Sequence, residues 1–410
     1  MEKMVSFEFA KKLIREKVET LEPELVDVHR GLGRVLAEDA YALVTQPMAR
    51  VSFRDGYALN SEESGPGKKL KVAGRILAGN PLAENLSPGS AFWVATEAVV
   101  PEGADAVVEE ERVQRLEDMI ELSQAVESGL NLRPEGEEFN QGDLLVRKGV
   151  VLDERKIALL LASGHFELSV IRKPRLWVIG VGDELRHPGS VIRAGQGYPS
   201  AAWLAAMMAE TLGCELSRVL LVADEAEAIV DAIPERESAD LVITIGGTGF
   251  GRKDIIQEAL KSVSARIIFQ GVKMRPSHSF IFSLREKQVI FSLPGRISAA
   301  EIGFELLARP GILKMQAKPG DDELMIQTRV NSEIGPAGDQ CHILRAKMIA
   351  KGDDLWVEPL RRRSWHKELV ESEGLIVVEE GRGAVKAGDW VGFIAHKNLL
   401  PSLVKLKSRG

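Results

Sequence analysis

The sequence has few cysteines, no long apolar run and no surplus of positive charge. Only Cys214 and Cys341 are present among 410 residues, far apart and without a CxxC pair, so we expect neither a disulfide framework nor a cysteine zinc site. No uninterrupted apolar run approaches the roughly 20 residues that cross a bilayer, which predicts a protein without a membrane segment. The formal net charge of -7 argues against general nucleic-acid binding, because such proteins usually carry a basic surplus.

The first residues mix charges into an apolar pattern of helical period, with Phe7, Ala10, Ile14 and Val18 on one side. A secretory leader would carry an uninterrupted apolar core instead, so we expect an N-terminal helix and a cytoplasmic protein. GLGRVLAEDAYALV, residues 31–44, is interpreted as a turn and a second helix. DERKIALLLASG, residues 153–164, predicts a helix with an aspartate cap and a glycine stop.

The length and the changing pattern of the chain predict several domains. From about residue 51 to 125, short apolar runs are broken by Gly and Pro, which is typical of a small β-rich module. After Pro174, apolar runs alternate with helical segments near 200–212, 225–236, 253–262 and 297–308, which indicates a mostly parallel α/β sheet. From about residue 319 the strand patterns return, and they predict a β-barrel or sandwich.

Polar or glycine-rich turns follow three strands of the predicted α/β domain. VIGVGDEL, residues 178–185, ends in Asp183 and Glu184. LVITIGGTGFGRKD, residues 241–254, supplies Gly246, Gly247, Thr248, Gly249 and Asp254, and VIFSLPGR, residues 289–296, supplies Pro294, Gly295 and Arg296. Each turn alone is typical of packing and chain reversal. Because parallel strands end at a common edge, the three together predict an anion site there.

Charged side chains near these turns would suit phosphate chemistry. Carboxylates that could hold Mg²⁺ through oxygen are those of Glu184, Asp224 and Asp254. Cations that could neutralise a phosphate are Lys253, Lys273, Arg275 and Arg296. This combination is what phosphoanhydride cleavage or transfer requires. His278, in KMRPSHSF, is either a structural residue or a ligand contact.

The stretch VSFRDGYALN, residues 51–60, places Asp55 before Gly56. Asp-Gly is a strong turn signal, and by itself it predicts nothing more than a turn. The neighbouring Arg54 lowers the pKa of Asp55 if the two side chains meet. On an extended strand the two side chains would instead point to opposite faces.

A series of motifs resembles the molybdopterin molybdenumtransferase family, which includes MoeA and the C-terminal domain of gephyrin. In chain order they are GRVLAED at 33–39, DGYA at 55–58, TEAVVPEGADAVV at 96–108, LRPEGEEFNQGDLL at 132–145, GVGDEL at 180–185, GGTGFGRKD at 246–254, KMRPSHSF at 273–280 and LPG at 293–295. Each motif is modest, but their order over nearly the whole chain is specific.

The resemblance implies an α/β plus β fold of four domains. These are a helical and linker domain I (1–44 and 130–171), an inserted β-rich domain II (45–129), a doubly wound molybdopterin-binding α/β domain III (172–318) and a C-terminal β-barrel domain IV (319–410). It also implies a homodimer in which adenylylated molybdopterin is hydrolysed with Mg²⁺ while molybdate supplies molybdenum to the dithiolene. A molybdopterin adenylyltransferase is a further expected partner; neither nucleic acid nor membrane is.

The resemblance also assigns residues. Asp55 matches the aspartate of the DGYA motif and Thr96 a motif threonine, so both are predicted to be catalytic together with Glu184 and Asp254. Asp224 matches a further acidic position, although Glu225 aligns equally well. Arg345 would match a ligand-binding arginine of the barrel. Residues predicted to bind the pterin substrate are Gly246, Gly247, Thr248, Gly249, Lys273, Arg275, His278, Pro294, Gly295 and Arg296.

Several residues depart from the family pattern. Glu138 stands where an aspartate is usual, and Arg54, Arg252 and Arg296 replace neutral or acidic residues, which predicts a more cationic pocket. A serine-rich ligand loop of the barrel is replaced by LRRRSWHKEL, residues 360–369, in which Ser364 is the remaining serine. These changes leave open a non-catalytic or repurposed paralogue that binds molybdopterin or a nucleotide. The GGTG sequence, which is similar to the loop of molybdopterin adenylyltransferases, leaves open adenylyl transfer.

Overall fold

The computed structural model describes residues 2–80, 85–248, 255–320, 325–352, 354–361 and 364–396. The chain divides into two compact units. Unit 1 comprises Met1–Glu24, Gly33–Val35 and Ile171–Gly410, and unit 2 comprises Leu25–Leu32 and Leu36–Val170. The four predicted domain boundaries stay predictions. Within the described ranges, no helix has the length and apolar character needed to cross a membrane.

The N-terminal segment begins with a strand, β1 (Glu2–Ser6), which precedes the helix α1 (Phe7–Lys17). The prediction of a helix from the first residues was therefore wrong for residues 2–6, which pair in parallel with a strand more than 250 positions later. The helical period was correct from Phe7 onward, since Phe7, Ala10 and Ile14 are buried. Ser6 caps the helix, and its Oγ accepts a hydrogen bond from the Phe9 amide at 3.3 Å.

Unit 2 carries the predicted β-rich module. Its six-stranded sheet has the order β8-β5-β7-β6-β10-β9. Short paired strands flank this sheet. In chain order the strands are β2 (Pro23–Asp27), β3 (Ala40–Tyr41), β4 (Val51–Ser52), β5 (Gly56–Leu59), β6 (Lys69–Ile76), β7 (Ser90–Val94), β8 (Ala106–Glu109), β9 (Val113–Leu116), β10 (Met119–Leu122), β11 (Leu132–Arg133), β12 (Leu144–Val146) and β13 (Glu167–Ile171).

Unit 2 also shows which helix predictions from the sequence were sound. The helix α2 (Glu154–Ala162) is confirmed, with the Asp153 carboxylate accepting from the Lys156 amide at 2.9 Å and Gly164 at a φ of +93°. The second helix predicted at 31–44 was wrong. That segment holds the end of a 3₁₀ turn (Val28–Gly31) and the strand β3, which pairs with β12. Pairing with a distant strand overrode the local helical pattern.

Unit 1 contains the α/β sheet, in the order β15-β14-β16-β19-β18-β17 with β1 beside β17. The strands β14, β15, β16 and β19 are parallel, and β18 runs against both of its neighbours. The elements are β14 (Arg175–Val181), α3 (Ser200–Thr211), β15 (Glu215–Val222), α4 (Ala226–Ala232), β16 (Leu241–Ile245), α5 (Ile255–Ser262), β17 (Arg266–Arg275), β18 (Ile281–Arg285), β19 (Gln288–Leu293), α6 (Ile297–Gly303), a π-helical turn (Phe304–Ala308) and α7 (Arg309–Met315).

Helices cover both faces of this sheet. Apolar side chains of α1, α3, α6 and α7 pack on one face, and those of α4 and α5 pack on the other. Strand β16 is buried along its whole length, which fits its continuous apolar sequence. The predicted doubly wound domain is confirmed.

The C-terminal strands of unit 1 close into a barrel. They are β20 (Met325–Val330), β21 (Cys341–Lys351), β22 (Asp354–Pro359), β23 (Gly374–Val378) and β24 (Trp390–Ala395), with the helix α8 (Trp365–Glu371) between β22 and β23. The order β21-β22-β20-β24-β23 returns to its start because β23 also pairs with β21. Val357, Ile376 and Phe393 fill the interior. The barrel predicted from the sequence is confirmed.

Candidate functional site

The carboxyl ends of β14, β16 and β19 meet at one edge of the sheet. Gly246 follows β16 with a φ of +106°, and a Cβ there would lie 2.3 Å from the carbonyl oxygen of Val181 on β14. A Cβ on Gly295, after β19, would lie 3.2 Å from the Cα of Gly246. Glycine at both positions allows the turns to approach this closely, and the Gly246 amide donates to the carbonyl oxygen of Leu293 at 3.0 Å.

The turn after β16 is tied to the loop after β17. Thr248 is buried, and its Oγ1 lies 2.9 Å from Oγ of Ser279. Strand β17 runs in the same direction as β19 and continues past its end, so Arg275 lies beyond this edge, beside His342 of β21. Arg275 and His278 are exposed, and the carbonyl of His278 accepts from the Val272 amide at 2.9 Å. The predicted residues Gly249, Lys253 and Asp254 lie outside the described residues.

Carboxylates gather beside these turns. The Asp224 amide donates to Oδ1 of Asp183 at 3.2 Å. Partial removal from water raises the pKa of Asp224, and the negative charges of Asp183 and Glu184 raise it further. The charge of Glu184 therefore acts on Asp224, and Asp183 contacts it directly, while the metal-binding role of these carboxylates stays a prediction.

These carboxylates could supply oxygen ligands to a magnesium ion. Across the described part of the chain, no three His, Cys, Asp or Glu side chains converge closely enough to hold a metal by themselves. Mg²⁺ usually binds through one or two carboxylates, with water and substrate phosphates as its other ligands. The mutual repulsion at Asp224 and the hard oxygen donors fit such an ion.

Two of the predicted phosphate-binding cations have protein partners. Nζ of Lys273 lies 2.9 Å from Oε1 of Glu380, and hydrogen bonding to that carboxylate raises the pKa of Lys273. The Arg296 guanidinium lies 4.6 Å from the ring centroid of Trp365 at the start of α8. The sequence analysis missed Glu380 and Trp365. For Trp365, the replacement of the serine-rich loop was the available signal.

Asp55 occupies the turn between β4 and β5 in unit 2. The backbone amide and the hydroxyl of Thr96 both donate to Oδ1 of Asp55, at 2.6 and 2.8 Å. These bonds lower the pKa of Asp55, the amide more than the hydroxyl, and the positive charge of Arg75 lowers it further. The guanidinium of Arg54 instead lies over the Phe53 ring, 5.2 Å from its centroid. Asp55 and Thr96, which the resemblance assigned from two separate motifs, are thus in direct contact.

Arg133 forms a charged cluster next to this contact. It binds the carboxylates of Glu97, Glu137 and Glu138 at 2.8, 2.5 and 2.6 Å. Hydrogen bonds from these three groups raise the pKa of Arg133 above its usual range. Glu97 directly follows Thr96, so the cluster holds the turn that presents Thr96 to Asp55. The sequence analysis missed Arg133, although its spacing from Glu137 and Glu138 was visible in RPEGEE.

The side chain of Arg345, on strand β21 of the barrel, is buried. It is 6% exposed, forms an ion pair with Glu301 on α6 and donates to the Ser298 carbonyl at 3.0 Å. Desolvation raises the pKa of Glu301, and the charge of Arg345 opposes that change. The arginine that resemblance matched to a ligand contact therefore has a buried protein partner.

A cavity of about 850 Å³ lies elsewhere in unit 1. It is lined by residues of α1, α7 and the barrel, among them Phe7, Leu313 and Ile394. Of the predicted site residues that the structure describes, none lines this cavity. The chemistry-bearing groups of unit 1 lie instead along the open sheet edge.

Comparisons with known proteins agree with this architecture. The family model "MoeA N-terminal region (domain I and II)" matches residues 5–164, and "Probable molybdopterin binding domain" matches residues 177–314. The chain is similar to the molybdopterin molybdenumtransferase of Haemophilus influenzae, with 30% identity over 386 residues covering 92% of this chain and 95% of the relative. A Staphylococcus aureus protein of the same name is 29% identical over 377 residues, covering 90% of each chain.

Comparison of the fold with solved structures supports the same family as comparison of the sequence. The crystal structure of the molybdopterin biosynthesis MoeA protein from Pyrococcus horikosii superposes with a TM-score of 0.79 at 25% identity, covering 96% of this chain and 99% of that one. Similarity therefore extends over both units and the barrel. The chain belongs to the molybdopterin molybdenumtransferase (MoeA) family of molybdenum cofactor biosynthesis.

Proposed function

We propose that this chain is a molybdopterin molybdenumtransferase that hydrolyses adenylylated molybdopterin and transfers molybdenum from molybdate to the dithiolene. The relatives carry that name. The observation that carries the proposal is the edge where the Gly246 and Gly295 turns meet beside Glu184 and Asp224. A phosphate cradle next to hard oxygen ligands is the arrangement that phosphoanhydride cleavage needs.

The residues at the edge have separate roles in this proposal. The backbone amide of Gly247 would bind a phosphate oxygen. Glu184 and Asp224 would hold Mg²⁺, which supplies positive charge to a phosphate when it is bound. Arg296, whose guanidinium carbon lies 4.6 Å from the ring centroid of Trp365, would donate hydrogen bonds to the phosphate.

Asp55 is the proposed proton acceptor. Two donors from Thr96 hold its carboxylate in one orientation and keep it ionised near neutral pH. An oriented carboxylate of lowered pKa accepts a hydrogen bond from water or takes up a proton transiently. We further propose a homodimer, and transfer of the pterin from a molybdopterin adenylyltransferase.

The test is AMP release from adenylylated molybdopterin in the presence of Mg²⁺ and molybdate. We expect Asp55→Asn to reduce the rate by about 100-fold or more, the usual contribution of a general acid or base. Asp105→Asn is the matched control, since the Ser61 amide and hydroxyl both bond to the Asp105 carboxylate at 2.6 Å. An equal loss of rate in both variants would contradict a catalytic role for Asp55. Light scattering of the purified chain tests the homodimer.

A non-catalytic molybdopterin- or nucleotide-binding paralogue is the second candidate. It is favoured by the engagement of Lys273 with Glu380 and of Arg296 with Trp365, since two cations predicted to serve phosphate already have protein partners. No AMP above the blank, with the pterin retained on the protein, would establish the binder. Consumption of ATP with unadenylylated molybdopterin would instead favour adenylyl transfer.

A further inference from the structure

Trp365 lies at the sheet edge that carries the proposed site. It is the first residue of α8 and is 46% exposed, which is unusual for so large an aromatic ring. Its ring centroid is 4.6 Å from the guanidinium carbon of Arg296. Arg296 directly follows Gly295, whose α-carbon approaches Gly246. The indole is thereby placed beside the turn of β19.

A second contact fixes the start of α8. Nε2 of His366 lies 3.2 Å from Oγ of Ser200, the first residue of α3. The loop that leads into α3 is the one that carries Glu184. Trp365 is therefore held between the beginnings of α3 and α6, two helices that follow strands ending at this edge. Both contacts would orient its ring before any ligand arrives.

The Arg296–Trp365 contact leaves two recognition surfaces open. A guanidinium that stacks through its face keeps its N–H groups in the plane, where they can donate to phosphate oxygens. The guanidinium carbon of Arg296 lies over the indole, and the exposed part of Trp365 offers apolar surface to a second planar group. Stacking of a heteroaromatic ring on tryptophan contributes substantially to affinity and tolerates different bases.

We propose that Arg296 and Trp365 form a recognition pair for a phosphorylated heteroaromatic ligand, with the guanidinium edge on the phosphate and the open indole face on the ring. The choice of ligand rests on the proposed function, because adenylylated molybdopterin carries two such groups. One is its AMP half and the other is its phosphorylated pterin half. Trp365 is then a ligand-contacting residue that replaces, by a ring, the serine-rich loop of the family pattern.

The barrel contains a matched control for this pair. Trp390 on β24 is 54% exposed and lies 5.2 Å from the guanidinium of Arg329. The Arg329–Trp390 pair has the same residue types, and its tryptophan is similarly exposed. It lies in the barrel, however, and not at the carboxyl edge of the α/β sheet. A general effect of removing an exposed tryptophan should appear equally in Trp390→Ala.

The experiment is a titration followed by indole fluorescence, with AMP and molybdopterin as separate probes. Adenosine and inorganic phosphate serve as the two halves of AMP. We expect quenching by AMP, by molybdopterin or by both, and about tenfold weaker binding in Trp365→Ala with a smaller loss in Trp365→Phe. Arg296→Gln should weaken binding of AMP and of inorganic phosphate while adenosine binding is preserved. Trp390→Ala should bind all four probes as the wild type does.

The outcomes separate the two ligand halves and the two proposals. Quenching by AMP alone assigns the pair to the adenine half, and quenching by molybdopterin alone assigns it to the pterin half. An absence of quenching by both probes, or unchanged affinities in Trp365→Ala, overturns the pair. If the pair fails while AMP release continues, the proposed function stands. If the pair binds but no AMP is released, the pair stands and the transferase proposal fails.

Discussion

Two exposed carboxylates, one in each structural unit, ionise under opposite influences. The pKa of Asp55 lies below its usual value, because the amide and hydroxyl of Thr96 donate to one of its oxygens. The pKa of Asp224 lies above its usual value, because its surroundings partly exclude water and because Asp183 and Glu184 repel its charge. The two hydrogen bonds from Thr96 hold the carboxylate of Asp55 in its ionised form. The second group carries negative charge that a cation would stabilise.

The opposite pKa shifts suit the carboxylates of Asp55 and Asp224 to different roles. A carboxylate fixed by two donors stays ionised and oriented near neutral pH without further partners. Carboxylates that repel one another have instead a built-in affinity for a divalent cation, since binding removes the repulsion. Changes to the donors of one and to the charges of the other should therefore have distinct signatures.

The largest effect on stability is expected from a third carboxylate, one that cations hold inside the fold. Asp240 is 8% exposed and is bound by Arg172 at 2.6 and 2.7 Å and by Arg175 at 3.1 Å. Asp240→Asn should lower the free energy of unfolding by about 2–3 kcal/mol at pH 7, because Arg175 loses its carboxylate partner and Arg172 keeps only Glu22. Urea denaturation measures the change, and Asp231→Asn on α4 is the exposed control.

The effect of Asp240 should depend on pH with a defined sign. Burial raises the pKa of Asp240, but hydrogen bonds from Arg172 and Arg175 lower it more, so the folded-state pKa lies below the unfolded value of about 3.9. The stabilisation is then complete above that unfolded value and is lost as the pH falls through the folded-state pKa. A stability gap between wild type and Asp240→Asn that does not shrink as the pH falls below about 3.9 would contradict this origin.

Removing a charge from the repelling group should weaken magnesium binding. We expect Glu184→Gln to raise the Mg²⁺ concentration for half-maximal AMP release by about tenfold, because an oxygen donor loses its charge. The Mg²⁺-dependent rise in Tm should shrink in parallel, which gives a readout apart from activity. Glu227→Gln is the control, since Glu227 is exposed in the first turn of α4. Equal Mg²⁺ requirements in both variants would exclude Glu184 as a ligand.

Removing one of the two hydrogen-bond donors to Asp55 should have a smaller effect on the rate of AMP release. Thr96→Val deletes the hydroxyl that donates at 2.8 Å but keeps the amide that donates at 2.6 Å. We expect the AMP-release rate to fall by about tenfold, roughly the contribution of one hydrogen bond to a charged group. The pKa of Asp55 should rise, and the acid limb of the pH–rate profile should move to higher pH. A profile that stays in place would break the link between Thr96 and Asp55.

The smallest effect is expected on Tm, when the electrostatic repulsion at Asp224 is removed. Without Mg²⁺, Asp224→Asn should raise Tm by roughly 1 °C at pH 7, because an exposed like-charge contact costs little. The folded-state pKa of Asp224 is raised, so the destabilising charge is present above that pKa and disappears as the pH falls. The gain in Tm should therefore shrink toward acid pH. Glu227→Gln should leave Tm unchanged, and a matching rise there would indicate a general surface-charge effect.

Local pattern was sufficient for much of the fold. The cap and stop of α2 at Asp153 and Gly164, the alternation of strands and helices after Pro174 and the strands of the barrel follow from periodicity and turn residues. Local pattern failed for residues 2–6 and 31–44. Both segments pair with strands distant in the chain, and a local helical period carries no information about such partners.

The candidate site divides in the same way. The sequence by itself determined that glycine turns and carboxylates would meet at one sheet edge, because parallel strands must end together, and the family motifs named Asp55 and Thr96. Only the tertiary structure decided what each charged group contacts: Glu380 for Lys273, Trp365 for Arg296, Thr96 for Asp55 and Glu301 for Arg345. These partners lie 41 to 107 positions apart. Ionic and stacking contacts depend on distance in space, which one chain's local pattern does not encode.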